Sequence, residues 1–448
     1  MMDNEFSVDI AEIKRVISSA DVMLIRFPHI DKRLLIDARH DDQEGPIVKV
    51  VPRVGSAAER FRHLKELRPR FPMPQNIVSF TWPKHVGSLE EYGVWQAILD
   101  RCASTGYSGW ERDCQGSYRE LAIAEHREVP DIISIGECMV ELYATAPLPE
   151  ATVFHRSFGG DSLNTLVAAS RLGSSTGYIT KVGDDPFAPG LLNGWQLERV
   201  DTSRVQVVPG YNGVYFVSVI PGGQREFTYY RSGSAASTLT PHDLDQSYIA
   251  TSTILHVTGI SQAISPSCRG AVLMACQMAK EAGVIVSYDL NLRPSLWPSL
   301  EDARSALEEI MPYLDIVFAS TPDDTRGLIR LSEPEEVIHH FWDKGVKVVA
   351  VKTGGDGCAV GEASSGGMVT IPAPAVKVVD TTGAGDAFNG AFLHGIATGM
   401  DTVSAAALAV VTASLKVRGR GAVASLPSSD EVHPLWEKHL STVRRSST

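Results

Sequence analysis

From Asp131 onward the chain alternates between short apolar runs rich in β-branched residues and longer stretches with helical periodicity. The runs are DIISIGECMVEL, STGYITKVG, GVYFVSVI, STILHVTG, GVIVSYDLN, LDIVFAS and VKVVAVKTG, with helical stretches at 162–172, 269–282, 303–313 and 334–344. Strand–helix–strand repetition with apolar strands predicts an α/β fold, a mostly parallel sheet covered by helices on both faces. Two stretches depart from the alternation. Residues 141–158 and 211–231 carry paired strand patterns with no helix between them, which predicts a small β lid beside the main sheet. Residues 402–415 predict a buried helix that is too short to cross a membrane.

The first 128 residues follow another pattern. A helix at 10–19 precedes the strands VMLIRF and RLLIDAR, and DDQEG supplies a turn into IVKVVPRV. Helical patterns follow at 57–67 and 89–103, with NIVSFTW between them. This predicts a separate α+β domain over 1–128, joined through 127–130 to a domain at 129–430, with a C-terminal helix or tail at 431–448. No catalytic constellation stands out in the first domain, where His29, His40, His63 and His85 lack metal-ligand spacing.

Composition narrows the function classes. A chain of 448 residues exceeds one compact core, which agrees with two domains. Lys+Arg 41 against Asp+Glu 53 gives −12, a balance that argues against nucleic-acid or anionic-membrane partners. A small anionic substrate remains compatible, because a few arginines reverse the field inside one cleft. The cysteines (102, 114, 138, 268, 276, 358) form no C-x-x-C pair, so no disulfide framework or zinc site is expected and a reducing cytoplasm fits. The opening MMDNEFSVDIAEIKRVISSA lacks the apolar core of a signal peptide.

The sharpest chemical signal is Asp380-Thr-Thr-Gly-Ala-Gly-Asp386 before the small-residue helix AFNGAFLHGIATGM. Gly383 and Gly385 let successive N–H groups converge at a helix N-terminus, where the dipole adds positive potential. Gly383, Ala384 and Gly385 would then hold a γ-phosphate, and Asp386 would take a proton from an attacking hydroxyl. The bland alternative is a glycine turn with Asp386 as a helix cap. Downstream of the strand VVAVK, Thr353, Gly354, Gly355 and Gly357 form a glycine turn able to pass beneath nucleotide phosphates and ribose.

The string D-T-T-G-A-G-D-A-F resembles the carboxy-terminal signature of the ribokinase (PfkB) family. The string FGGDSLN at 158–164, followed by AASRLGSSTGYITKVGDDPF, resembles its amino-terminal signature. The resemblance spans 131–427 and implies a ribokinase-like fold and MgATP-dependent phosphorylation of a sugar in the cytoplasm. It implies that Gly160, Asp161 and Asn164 hold sugar hydroxyls. Within the family, IGECMVEL, FGGDSLN, YYRSGSAAS and DLNLRPSLW are similar to 2-keto-3-deoxygluconate kinases. That likeness implies Tyr215, Tyr229 and Arg231 on the lid side, with Asn291 and Arg293 at a strand end beneath.

A sugar acid carries a carboxylate suited to guanidinium, whereas a lone arginine is usually a surface ion pair. The resemblance also puts Ser320 on the ATP side. Relatives carry an Asn-x-x-Glu element that organises magnesium; here Ser320-Thr-Pro-Asp323 replaces it, leaving Asp323 as the metal candidate or, with Asp324, a solvated helix start. Some relatives bind a monovalent cation near the positions of Asp380 and Gly421–Ala422, and relatives often form homodimers through the lid. Two other readings compete. A kinase for a neutral sugar or nucleoside (fructose, ribose, adenosine) would leave Arg231 and Arg293 buried and unpaired at a cost. A silent sugar-acid sensor would not need the complete nest and Asp386.

Overall fold

The computed structural model describes residues 129–219 and 225–446, together with six backbone strands nearer the amino terminus. The chain divides into two compact units, Met1–Arg127 and Glu128–Thr448. In the first unit, strands Val22–Arg26, Arg33–Asp41 and Gly45–Pro52 form an antiparallel meander, and Ser79–Thr81 joins Val22–Arg26 in parallel. Strands Trp110–Arg112 and Tyr118–Glu120 make a separate antiparallel pair. The helices expected at 10–19, 57–67 and 89–103, and the side chains of the four histidines, lie outside the described residues.

The second unit is built on a nine-stranded sheet. Its order is Val200–Val208, Thr176–Gly183, Ile132–Ile135, Ile254–Thr258, Ile285–Asp289, Ile316–Ser320, Val348–Lys352, Cys358–Glu362 and Gly367–Ile371. All pairings are parallel as far as Val348–Lys352, and the last two strands return antiparallel. The central strands are buried on both faces, which is why they lack polar alternation. Two apolar cores result. One lies under helices Asp161–Leu172, Ala384–Ala397 and Thr402–Lys416, and the other under Pro266–Ala282, Leu300–Ile310 and Pro334–Asp343.

Local chemistry sets the helix ends. Ser265 caps Pro266–Ala282 by accepting from Cys268 N at 3.1 Å, and Gly283 closes it at φ 77°. The final helix, Ser429–Ser446, packs on Thr402–Lys416, burying Val432 and Val443, while Trp436 Nε1 donates to Ser404 O at 3.0 Å. Residues 431–446 thus belong to a helix that docks on the core through these side chains.

Two elements escaped the hydrophobic pattern. Val200–Val208 is a sheet edge whose sequence VDTSRVQVV mixes polar and apolar residues because it is only partly buried. Helix Ala188–Leu197 contains Pro189, Gly190 and Gly194, which mask its period. The lid is present as a four-stranded sheet, Arg225–Tyr230, Val214–Val219, Met139–Tyr143 and His155–Gly159.

Candidate active site

Thr258, Asp289, Ser320 and Lys352 are each the last residue of a parallel strand. Ligands of open α/β sheets bind beyond these carboxyl ends, and there the chain collects polar groups that its strands otherwise lack. Helix Ala384–Ala397 begins in the same region. Gly383 precedes it at φ 77°, a left-handed conformation costly for any other residue. The first-turn N–H groups, those of Gly385 and Asp386 among them, have no intrahelical acceptor and face the cleft with the positive end of the dipole.

Asp386 is held by a neighbour far away in sequence. Asn164 Nδ2 donates to Asp386 Oδ2 at 2.8 Å, and Asn164 Oδ1 accepts from Gly160 N at 3.3 Å. The reach is short because the two helices nearly touch: a Cβ on Gly390 would lie 2.3 Å from Thr165 O. Asp161 Oδ2 accepts from Thr258 Oγ1 at 2.6 Å and from Asn291 Nδ2 at 3.2 Å. Burial pushes the Asp386 carboxyl up to about 7, aided by the nearby Asp161 charge and opposed by the Asn164 hydrogen bond. Burial raises Asp161 as well, against the Thr258 hydrogen bond. An acid near 7 in the first turn of this helix can exchange a proton with a hydroxyl at neutral pH.

Beneath the nest lies a buried ion pair. Lys352 Nζ meets Asp289 Oδ2 at 2.9 Å and Asn389 Oδ1 at 3.2 Å, while Asn389 Nδ2 donates to Asp289 Oδ2 at 2.6 Å. A Cβ on Gly385 would lie 3.4 Å from Lys352 Nζ, so the ammonium is directly under the nest.

On the lid side, Tyr215 stacks on Tyr229 with ring centroids 5.7 Å apart, and its hydroxyl donates to Glu141 Oε2 at 2.5 Å. Arg231 pairs with Glu137 at 2.5 Å. This corrects one expectation: Arg231 would not be left unpaired by a neutral sugar, because the buried Glu137 already pairs with it. Arg293 is exposed and donates to Leu292 O at 2.9 Å; among the described residues no carboxylate pairs with it. Burial raises the Tyr229 hydroxyl, while the positive charges of Arg293 and Arg231 act in the opposite sense.

On the opposite side, Thr353 N donates to Gly357 O at 2.9 Å across the glycine turn, leaving Gly354 and Gly355 exposed. Ser320 N and Leu292 N donate to the two carboxylate oxygens of Asp324, each at 2.9 Å. Asp324 is thus a buried clamp between two strand ends, not a solvated helix start, whereas Asp323 is exposed. Among the described residues no three His, Cys, Asp or Glu side chains gather as a metal site.

Direct hydrogen bonds therefore join Gly160, Asn164 and Asp386 in one set and Asp161, Asn291 and Thr258 in another. The reading from sequence missed Glu137, Thr258, Asp289, Lys352 and Asn389. A charged residue ending an apolar strand, as in VVAVK or IVSYD, is the signal that could have found two of them.

Residues 129–429 match the profile of the pfkB family carbohydrate kinase. The chain is 36% identical over 310 residues to a 2-dehydro-3-deoxygluconokinase of Thermoproteus tenax, covering 68% of this chain and 93% of the relative. It is 35% identical over 318 residues to fructokinase-1 of Zea mays, covering 68% and 98%. A putative ribokinase II from Escherichia coli, solved with ATP and magnesium, superposes with a TM-score of 0.64 at 27% identity, covering 69% of this chain and all of that one (100%). Among the described residues no helix is long and apolar enough to cross a membrane.

Proposed function

We propose that this chain, which belongs to the pfkB carbohydrate kinase family and has its ribokinase-like fold, transfers the γ-phosphoryl group of MgATP to the 6-hydroxyl of 2-keto-3-deoxygluconate. The observation that carries the kinase reading is Asp386, tethered by Asn164 beside Asp161 at the start of the glycine-nest helix. The sugar hydroxyl attacks the γ-phosphorus, the bond to the bridging oxygen breaks, ADP leaves, and Asp386 accepts the hydroxyl proton. The N–H groups around Gly383, Ala384 and Gly385, with Lys352 behind them, stabilise the charge on the transferring group. Asp161, Asn164, Asn291 and Gly160 orient the sugar. The turn at Thr353, Gly354, Gly355 and Gly357, with Ser320, carries the nucleotide. Magnesium would be held mainly by phosphate and water oxygens, with exposed Asp323 the candidate protein carboxylate.

The substrate is argued from Arg293, an exposed guanidinium that lacks a carboxylate partner among the described residues and follows Asn291 by two residues beyond the end of strand Ile285–Asp289. A second reading, a kinase for a neutral ketose, gains from the Arg231–Glu137 pair, which satisfies that arginine without a substrate carboxylate. The two fit the relatives equally, a 2-dehydro-3-deoxygluconokinase at 36% identity and a fructokinase at 35%. A panel of sugars and sugar acids with ATP, read as ADP release and phosphorylated product, decides between them. Arg293→Ala should lower kcat/KM for the acid roughly 10- to 150-fold, the worth of a charge-assisted hydrogen bond, and leave the KM for ATP nearly unchanged. Equal losses on acid and neutral sugars, or a wild type that prefers fructose, would give the assignment to the second reading.

The amino-terminal unit is proposed to be dispensable for the chemistry, because every residue of the site lies in Glu128–Thr448. A chain starting at Glu128 should fold and phosphorylate the same sugar; insoluble or inactive protein would refute this. The exposed faces of Phe227, Tyr229 and Tyr230 on the lid's edge strand support a homodimer through the lid. Sedimentation of the full chain, compared with a variant carrying Tyr230→Glu, tests it.

A further inference from the structure

Around Asp380 and Gly421–Ala422, where the family resemblance implies a monovalent-cation site, this chain places the cationic side chains of Lys416 and Arg225. Lys416 ends helix Thr402–Lys416 and is fully buried at 0% exposure. Its Nζ donates to the Asp380 carbonyl oxygen at 3.1 Å. From the lid, Arg225 pairs with Asp380 Oδ1 and donates through Nη2 to Val379 O at 3.1 Å. Thr382 N reaches Oδ1 at 2.8 Å and Gly421 N reaches Oδ2 at 2.7 Å. Every oxygen of Asp380 thus faces a hydrogen-bond donor.

A potassium ion is held where several oxygens replace its hydration shell. Here those oxygens are already engaged, and two fixed cations would repel the ion. We infer that Lys416 and Arg225 act as built-in cations, so that the phosphoryl transfer proposed above requires no monovalent metal. This rests on the kinase reading. Lys416 is a positioning residue, because its ammonium fixes the Asp380 carbonyl from which the segment Thr381–Gly383 turns into the nest. Burial lowers the Lys416 ammonium to about 8, with Arg225 acting in the same sense and Asp386 and Glu141 against it, so the charged form still predominates at neutral pH. Neither Lys416 nor Arg225 has any other role in the proposed chemistry.

The test uses the full chain freed of alkali metals, with N-methylglucamine as counter-ion. ADP release with MgATP and the accepted sugar should change by less than about twofold across a potassium titration at constant ionic strength. Lys416→Ala should lose roughly 10- to 10²-fold in kcat, the usual effect of removing one electrostatic group, and should regain part of it with methylammonium or potassium. A wild type activated about tenfold or more by potassium overturns the inference, as does a Lys416→Ala enzyme with the wild-type rate in the absence of added cation. Thermal melting of the wild type decides independently of any variant and of the substrate. A bound ion stabilises the folded state in proportion to ln(1 + [L]/Kd), so no potassium-specific rise in Tm is expected, and a saturating rise overturns the inference. Failure of every sugar to react would instead sink the kinase reading while the melting result still stands.

Discussion

Replacing Asp386 by Asn is expected to lower kcat by roughly 10²- to 10⁴-fold while the affinity for ATP changes little. Asn keeps the size of the side chain and the contact with Asn164, and the backbone nest does not depend on the carboxylate. What disappears is the proton acceptor. The wild-type profile of kcat/KM against pH should rise through about 7, where burial and Asp161 place the Asp386 carboxyl, and the residual activity of the Asp386→Asn variant should lack that limb.

Stability should move the other way. The folded carboxyl holds its proton to about 7 against an ordinary value of 3.8, so between these the folded state binds the extra proton and stability falls as pH rises. Above that window the buried charge is a standing cost, which the Asn variant escapes. The variant should therefore be more stable than wild type at pH 8 and lose this advantage as pH approaches about 4. Near-wild-type turnover by Asp386→Asn would remove the residue from the mechanism, whatever the melting data show.

What could be read from sequence was what local chemistry enforces. The apolar runs IISI, ILHVT and IVFAS announced buried parallel strands because both faces of each are covered. The glycine string before Asp386 announced a backbone nest because that turn needs a residue at positive φ, and Gly383 has φ 77°. The residues that escaped depend on contacts across long sequence separations. Lys416 ends a small-residue helix, where a lysine ordinarily serves the helix dipole in solvent; only the approach of Asp380 makes it a buried charge. Glu137 lies within an apolar strand-end string, and its pairing with Arg231 needs the lid to fold over it. The expectation that a neutral sugar would leave Arg231 unpaired failed for that reason: sequence gives the charge of an arginine and not its partner.

The same logic makes Lys352 the most consequential residue outside the recognised motifs. Lys352→Met should destabilise the protein by about 3–5 kcal/mol, the cost of breaking a buried ion pair from one side. The side chains of Lys352 and Asp289 are 11% and 3% exposed, so the Asp289 charge would be left with Asn389 alone and little water. Urea unfolding should report the loss as a lower midpoint with an unchanged slope. Activity supplies a second readout that packing damage would not move. Lys352 favours the ionised form of Asp386, so its loss should shift the acid limb of kcat/KM to higher pH. Asp289 acts in the opposite sense on Asp386, so Asp289→Asn added to Lys352→Met should bring the limb back toward wild type. The double variant should also recover much of the stability, because a neutral pair leaves no uncompensated buried charge. A single-variant cost below about 1 kcal/mol, the range of exposed pairs, would show that water reaches the pair and that Lys352 does not set the charge beneath the nest.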